Sequence, residues 1–213
     1  LTECGMPLIV KKPSVYVLPD GGFDEEALRS AGRAVRVARV EIMGPDGRIL
    51  PAGERGEIVV QSVTAMLGYY KNPDETAAHK LHGWRHTGDV GVKDARGFIT
   101  IVDRLKDMIV SGGFNVFPAQ VEAVILGHDA VMECAVVGVP DEKWGEAVKA
   151  VVQLKPGRTA SEDELISLCR DRLGGVYAPK SVEFWPELPR SAVGKLLRRE
   201  VRAKYWQGQW RSV

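Results

Sequence analysis

Lys195 stands alone in "LPRSAVGKLLRRE" (188–200), directly behind Ser-Ala-Val-Gly. A single ammonium on a glycine-bearing loop suits charge developing on a phosphate. The same residues also read as a surface lysine opening a basic helix with Arg198, Arg199, Arg202 and Lys204. A P-loop is excluded, because Leu196 follows where Ser or Thr is required and no strand leads straight into a helix.

Two further stretches carry chemistry. In "GWRHTGDVG" (83–91), Asp89 follows Thr-Gly at the entry to a strand. Its two carboxylate oxygens can accept from a vicinal diol such as ribose, or simply satisfy turn N–H groups. "DRLKDMIVSGGFNVFP" (103–118) packs Asp103, Arg104, Lys106 and Asp107 ahead of Ser-Gly-Gly. Those charges fit a solvated linker; alternatively Arg104 bonds ribose or phosphate, and Gly112 and Gly113 admit a thin ligand close to the backbone.

These residues must be positioned by two kinds of structure. The first half reads as strands and turns: "ARVEIM" (38–43) alternates, Gly44–Gly47 turns, and "DVGVKDARGFITIVDR" forms a hairpin about Asp94–Gly97. Asn72 followed by Pro73, Asp74 and Glu75 predicts a short helix to about Lys80. Beyond Arg104 the pattern mixes α and β. Pro118 opens a helix with Val121, Val124 and Ile125 on one face, and "VMECAVVGVP" and "EAVKAVVQLK" read as apolar strands. Ser161 and Glu164 make a capping box before a helix striped by Leu165, Leu168, Cys169 and Leu173 and ended by Gly174; "SVEFW" is a further strand. The predicted domain boundary falls at Leu105–Lys106.

Composition narrows the partners. A formal net charge of +1 over 213 residues supplies no general field for nucleic acid or a membrane surface. The three cysteines are scattered, without CxxC or Cys/His clusters, so disulfides and zinc are not expected and a cytoplasmic setting is. No apolar run reaches the ~20 residues of a membrane span. Entry on "LTECG" without a methionine predicts a missing N-terminal part.

In series, Thr-Glu at 2–3, Thr-Gly-Asp at 87–89, D-R-x-K-D at 103–107, S-G-G-x-N-V-x-P at 111–118 and P-R-S-x-x-G-K at 189–195 closely resemble the ordered motifs of AMP-forming acyl-CoA synthetases. The resemblance runs over essentially the whole chain. It is nearest to fatty-acid–CoA ligases of the adenylate-forming superfamily, judging also by "GVPDEKWGEAVKA" (138–150).

That resemblance implies a mixed α/β chain: a β-rich, barrel-like part of a large AMP-binding domain over 1–105, then a small, mobile α+β lid over 106–213. It implies ATP, Mg²⁺ and CoA as partners of a small carboxylic acid, with no nucleic acid. Thr2 would bond phosphate and Glu3 would hold Mg²⁺. Asp89 would take the ribose hydroxyls, assisted by Arg104. Lys106 would be the hinge, Lys195 would neutralise the α-phosphate, and Gly112 and Gly113 would border the pantetheine passage. No histidine need be catalytic, and His79, His82 and His128 are expected at the surface, as are the arginines after Lys195. Gly194 is expected to act as a hinge that frees Lys195 to reach.

His86 departs from the aromatic or Arg commoner before Thr-Gly-Asp, and "GGVYAPK" (174–180) lacks the usual Tyr-Lys order, which bears on CoA contacts by that loop. The phosphate loop and acyl pocket of the family would lie upstream of "LTECG", so this polypeptide by itself is expected not to adenylate. Acyl chain length, oligomeric state and peripheral membrane contact through an upstream part stay open. The alternatives are an adenylation domain serving a carrier protein, disfavoured because the chain ends at "YWQGQWRSV" with no carrier following, a luciferase-like oxygenase, disfavoured by the lack of a C-terminal Ser-Lys-Leu, and a non-catalytic interaction module.

Overall fold

The computed structural model describes residues 2–5 and 8–207, so the end of "YWQGQWRSV" lies outside the described residues. The chain divides into two compact units, Leu1–Lys106 and Asp107–Val213. It is mixed α/β, with a β-rich first unit and an α+β second one.

The first unit is built on one antiparallel sheet. Its strands are β1 (Ile9–Val10), β2 (Gly32–Ala34), β3 (Ala38–Met43), β4 (Arg55–Ser62), β5 (Lys80–Leu81), β6 (Trp84–Lys93) and β7 (Phe98–Arg104). They run in the order β1-β2-β7-β6-β4-β3, with β5 added beside β6, and curl into a half-barrel. Alternation explains the burial: Val40 and Ile42 of β3 meet Ile58 and Val60 of β4 and Ile99 of β7 in one core. Cys4 joins that core. Two short helices interrupt the strands, α1 (Glu25–Arg29) and α2 (Pro73–Ala78). The Asn72 side chain accepts the Glu75 N–H at 3.2 Å, and α2 stops at Ala78 because Lys80 already pairs with Arg85 in β6.

The second unit has a sheet of β8 (Ile109–Ser111), β9 (Phe114–Val116), β10 (Val131–Asp141), β11 (Gly145–Leu154) and β12 (Ser181–Phe184). The order is β10-β11-β8-β9, and β12 pairs β11 in parallel. Helices α3 (Pro118–Leu126) and α4 (Glu162–Leu173) pack on one face, where Val121, Ile125, Leu165 and Cys169 meet Cys134, Val136, Val148 and Ala150. Helix α5 (Arg198–Tyr205) covers the other, with Val201 and Leu188 against Ala135, Val137 and Val151. Because both faces are covered, β10 and β11 read as continuous apolar runs. The capping box of α4 is formed, with Ser161 Oγ accepting Glu164 N–H at 3.2 Å and Glu164 Oε2 accepting Ser161 N–H at 3.3 Å. Among the described residues no helix is long and apolar enough to cross a membrane.

Candidate functional site

Thr2–Cys4 form one turn of 3-10 helix against the end of β4. Met66 N–H donates to the Glu3 carbonyl at 2.9 Å, and Thr64 Oγ1 donates to the Cys4 carbonyl at 3.2 Å. Gly5, at φ +77°, is needed here because a Cβ would lie 2.5 Å from Thr64 Oγ1. Glu3, Cys4, Tyr69, His79, Arg85, His86 and Thr87 line a common cleft. Tyr69 Oη lies 3.5 Å from Glu3 Oε1. Burial, together with the Glu3 and Glu75 carboxylates, pushes the Tyr69 phenol up, so it stays a hydrogen-bond donor.

The Thr-Gly-Asp turn is held by a residue that lies in none of the sequence motifs. Glu57 of β4 places Oε2 at 2.7 Å from His86 Nδ1 and accepts Gly88 N–H on Oε1 at 2.9 Å. Thr87 Oγ1 donates to the Ile58 carbonyl at 2.7 Å and accepts Asp89 N–H at 3.1 Å. Gly88 sits at φ +70°. Asp89 is thereby aimed from β6 and faces Arg104 across the β6–β7 ladder, where Arg104 Nε is 3.2 Å from Asp89 Oδ1. The structure thus brings the proposed ribose pair together.

Arg85, two residues before Thr87, lies in the same cleft without being signalled by any motif. It is only 8% exposed, and its Nη2 donates to the carbonyls of Met66 and Leu67. Its Nη1, like His86 Nε2, has no partner among the described residues. The histidines are less superficial than expected. His79 Nε2 lies 3.2 Å from Glu75 Oε1 and its Nδ1 lies 3.2 Å from the His86 carbonyl oxygen, while His128 Nε2 lies 3.0 Å from Glu164 Oε1. Only His82 is exposed. Each half-buried ring sits against a glutamate it can bond, which draws it in from solvent.

Lys106 lies in a 3-10 turn, Leu105–Asp107, as the last residue of the first unit. Gly112 and Gly113 turn β8 into β9 at φ +57° and +85°. The group that approaches Gly112 is the Trp144 indole: Gly112 N–H donates to the Trp144 carbonyl at 2.9 Å, and a Cβ would lie 2.4 Å from Trp144 Cε3. Gly113 faces open space.

Lys195 sits in a closed turn, so Gly194 is not the free hinge expected. Gly194 N–H donates to the Ser191 carbonyl and Ser191 N–H to the Lys195 carbonyl, both at 2.8 Å, and Ser191 Oγ accepts Lys195 N–H at 3.1 Å. Gly194 supplies the φ of +79° that this turn requires. The Lys195 side chain is exposed. The arginines that follow also depart from expectation, since Arg198 and Arg202 turn inward to Glu122 and Glu146.

Among the described residues no group of three or more His, Cys, Asp or Glu could hold a metal ion. Glu3 is a single hard oxygen donor. That fits Mg²⁺, which typically takes one or two carboxylates and completes its shell with water and phosphate oxygens.

The profile of the AMP-binding enzyme C-terminal domain matches residues 120–195, ending on Lys195. A feruloyl-CoA synthase from Amycolatopsis sp. is 46% identical over 91% of this chain and 39% of its own length. A medium/long-chain-fatty-acid–CoA ligase from Mycobacterium tuberculosis is 45% identical over 93% of this chain and 36% of its own. The solved o-succinylbenzoate coenzyme A synthetase of Bacillus subtilis, in complex with AMP, superposes with a TM-score of 0.81 at 34% identity, covering 94% of this chain and 39% of that one. The chain therefore spans well under half the length of the proteins it matches.

Proposed function

Because the chain belongs to the adenylate-forming acyl-CoA synthetases and carries their AMP-binding C-terminal domain, we propose that its protein activates a carboxylic acid and passes the acyl group to CoA. In the first step a carboxylate oxygen attacks the α-phosphorus of ATP, and pyrophosphate leaves with the electrons of the broken P–O bond. In the second, the CoA sulfur attacks the acyl carbon and AMP leaves. A fatty acid is the acid we favour, on the likeness to the mycobacterial ligase.

The carrying observation is the pinned turn that presents Lys195 at the end of the matched domain. In-line attack at phosphorus spreads negative charge over oxygens, so a placed cation does more than a proton-transfer group. Lys195 supplies that cation at the α-phosphate. Asp89 accepts from the ribose hydroxyls while Arg104 holds its carboxylate in place. Thr2 bonds a phosphate oxygen, and Glu3 holds the Mg²⁺ that screens phosphate charge. Gly112 and Gly113 border the pantetheine arm. The boundary at Lys106 supports the second unit acting as a lid that turns between the half-reactions.

The test is to assay full-length protein for both half-reactions across acids from acetate to palmitate. Lys195→Ala should slow pyrophosphate release about 100-fold or more, while thioester formation from supplied acyl-adenylate is nearly unchanged. Equal losses in both would remove the assigned role. Absence of acyl-adenylate with every acid would turn the reading toward a non-catalytic module.

A further inference from the structure

Arg190 lies in the same motif as Lys195, directly after Pro189, and has no role in the proposed reaction. It spans two elements. Nη1 donates to the Gly194 carbonyl at 2.7 Å, and Nη2 lies 2.6 Å from Glu133 Oε2 on β10. Its backbone pairs with Leu196 across the base of the turn, and Leu197 N–H donates to the Pro189 carbonyl at 2.8 Å. Leu188 is buried and Leu196 packs against the cluster between the sheet and α5. The base of the turn is therefore fixed by apolar packing. Its tip, where Val193 is 79% exposed, has no such packing.

The peptide that Arg190 holds is the one joining Gly194 to Lys195. Rotation of that peptide would swing the Lys195 side chain and break the bond from Lys195 N–H to Ser191 Oγ. Among the described residues, the contact that refers the tip of the turn to the sheet is the Arg190–Glu133 arm; the Ser191 bonds close the turn on itself. The arm contributes little to global stability, because Arg190 is 44% exposed in its side chain and exposed ion pairs are weak. What it supplies is orientation.

We propose that Arg190, anchored by Glu133, is a positioning residue that sets where Lys195 delivers its charge. The proposal rests on the acyl-adenylation reading, and both are tested in the full-length protein. Arg190→Ala should lower the kcat of acyl-adenylate formation roughly 10- to 100-fold, the scale of a misplaced catalytic group, with little change in KM for ATP. Thioester formation from supplied acyl-adenylate should stay near wild type, and the melting temperature should move little. Arg190→Lys, which reaches one partner and not both, should recover part of the rate. Amide hydrogen exchange at Gly194 and Lys195 should speed up in Arg190→Ala, independently of any activity. If Lys195→Ala slows adenylation selectively and Arg190→Ala does not, the positioning role is wrong and the reading of Lys195 stands. If Lys195→Ala shows no selective loss, the reading itself fails. Faster exchange with unchanged adenylation would also overturn the proposal.

Discussion

Arg198 at the start of α5 grips Glu122 in the middle of α3, with Nε 2.8 Å from Oε1 and Nη2 bonded to Oε2. Glu122 is 6% exposed, and its Oε1 also accepts the Val136 N–H at 2.9 Å. One carboxylate therefore ties α3, β10 and α5 together, just beyond Lys195. Removing it takes the carboxylate from a half-buried guanidinium, which keeps the longer contact to Asp107 at 3.9 Å, and leaves the buried Val136 N–H without its acceptor. Glu122→Ala should destabilise the second unit by about 3 kcal/mol. Arg199→Ala, on the exposed side of the same helix, should change stability by less than about 0.5 kcal/mol. Urea midpoints of the two variants check this; equal shifts would show that the carboxylate is not the tie.

The neighbouring glycines of the β8–β9 turn should behave differently although both have positive φ. Gly112→Ala drives a Cβ into the Trp144 ring as well as straining the backbone, for an expected loss of about 2–4 kcal/mol. Gly113→Ala meets nothing within 4 Å and carries the backbone strain alone, about 1 kcal/mol. Chemical denaturation of both variants decides it. A Gly113→Ala loss as large as that of Gly112→Ala would mean that the indole is not what requires glycine.

Local signals were legible in the sequence. Asn72 caps α2, Ser161 and Glu164 close their box, and the hairpin turns at Asp94–Gly97 because the chemistry of each lies within a few residues. The order of the motifs was legible too. What was not legible is long range. Glu57 reaches His86 and Gly88 across a strand pair, Trp144 in the turn before β11 meets Gly112 in the turn after β8, and Arg198 finds Glu122 at a separation of 76 residues. Helix α5 read as a solvated basic face because it buries only Val201, and nothing in its own residues announces carboxylates on α3 and β11. The Lys195 turn differs for another reason: Gly194 signals a positive φ, which suits a hinge and a closed turn alike, and it is the Ser191 bonds to Gly194 and Lys195 that close it.

The cysteines give the pH dependence. Cys4, Cys134 and Cys169 are all buried, and burial raises all three thiols, Cys169 to about 11 from an ordinary 9.0. Cys134 is held further up by the Glu122 carboxylate and Cys169. Since the thiolate is the nucleophile, native protein at pH 8 should leave all three unalkylated by iodoacetamide, while denatured protein should label fully. The sign for stability follows from the same shift. A thiol whose folded pKa lies above its unfolded value binds its proton more tightly in the native state, so its contribution is complete below pH 9.0 and declines as pH rises toward 11. The urea midpoint should therefore fall between pH 9 and 11, and Cys169→Ala should flatten that decline. Peptide mapping of the alkylated protein locates any early reaction. Labelling of Cys169 at pH 8 without denaturant would mean that α4 opens from the sheet, and would contradict the burial on which the pH dependence rests.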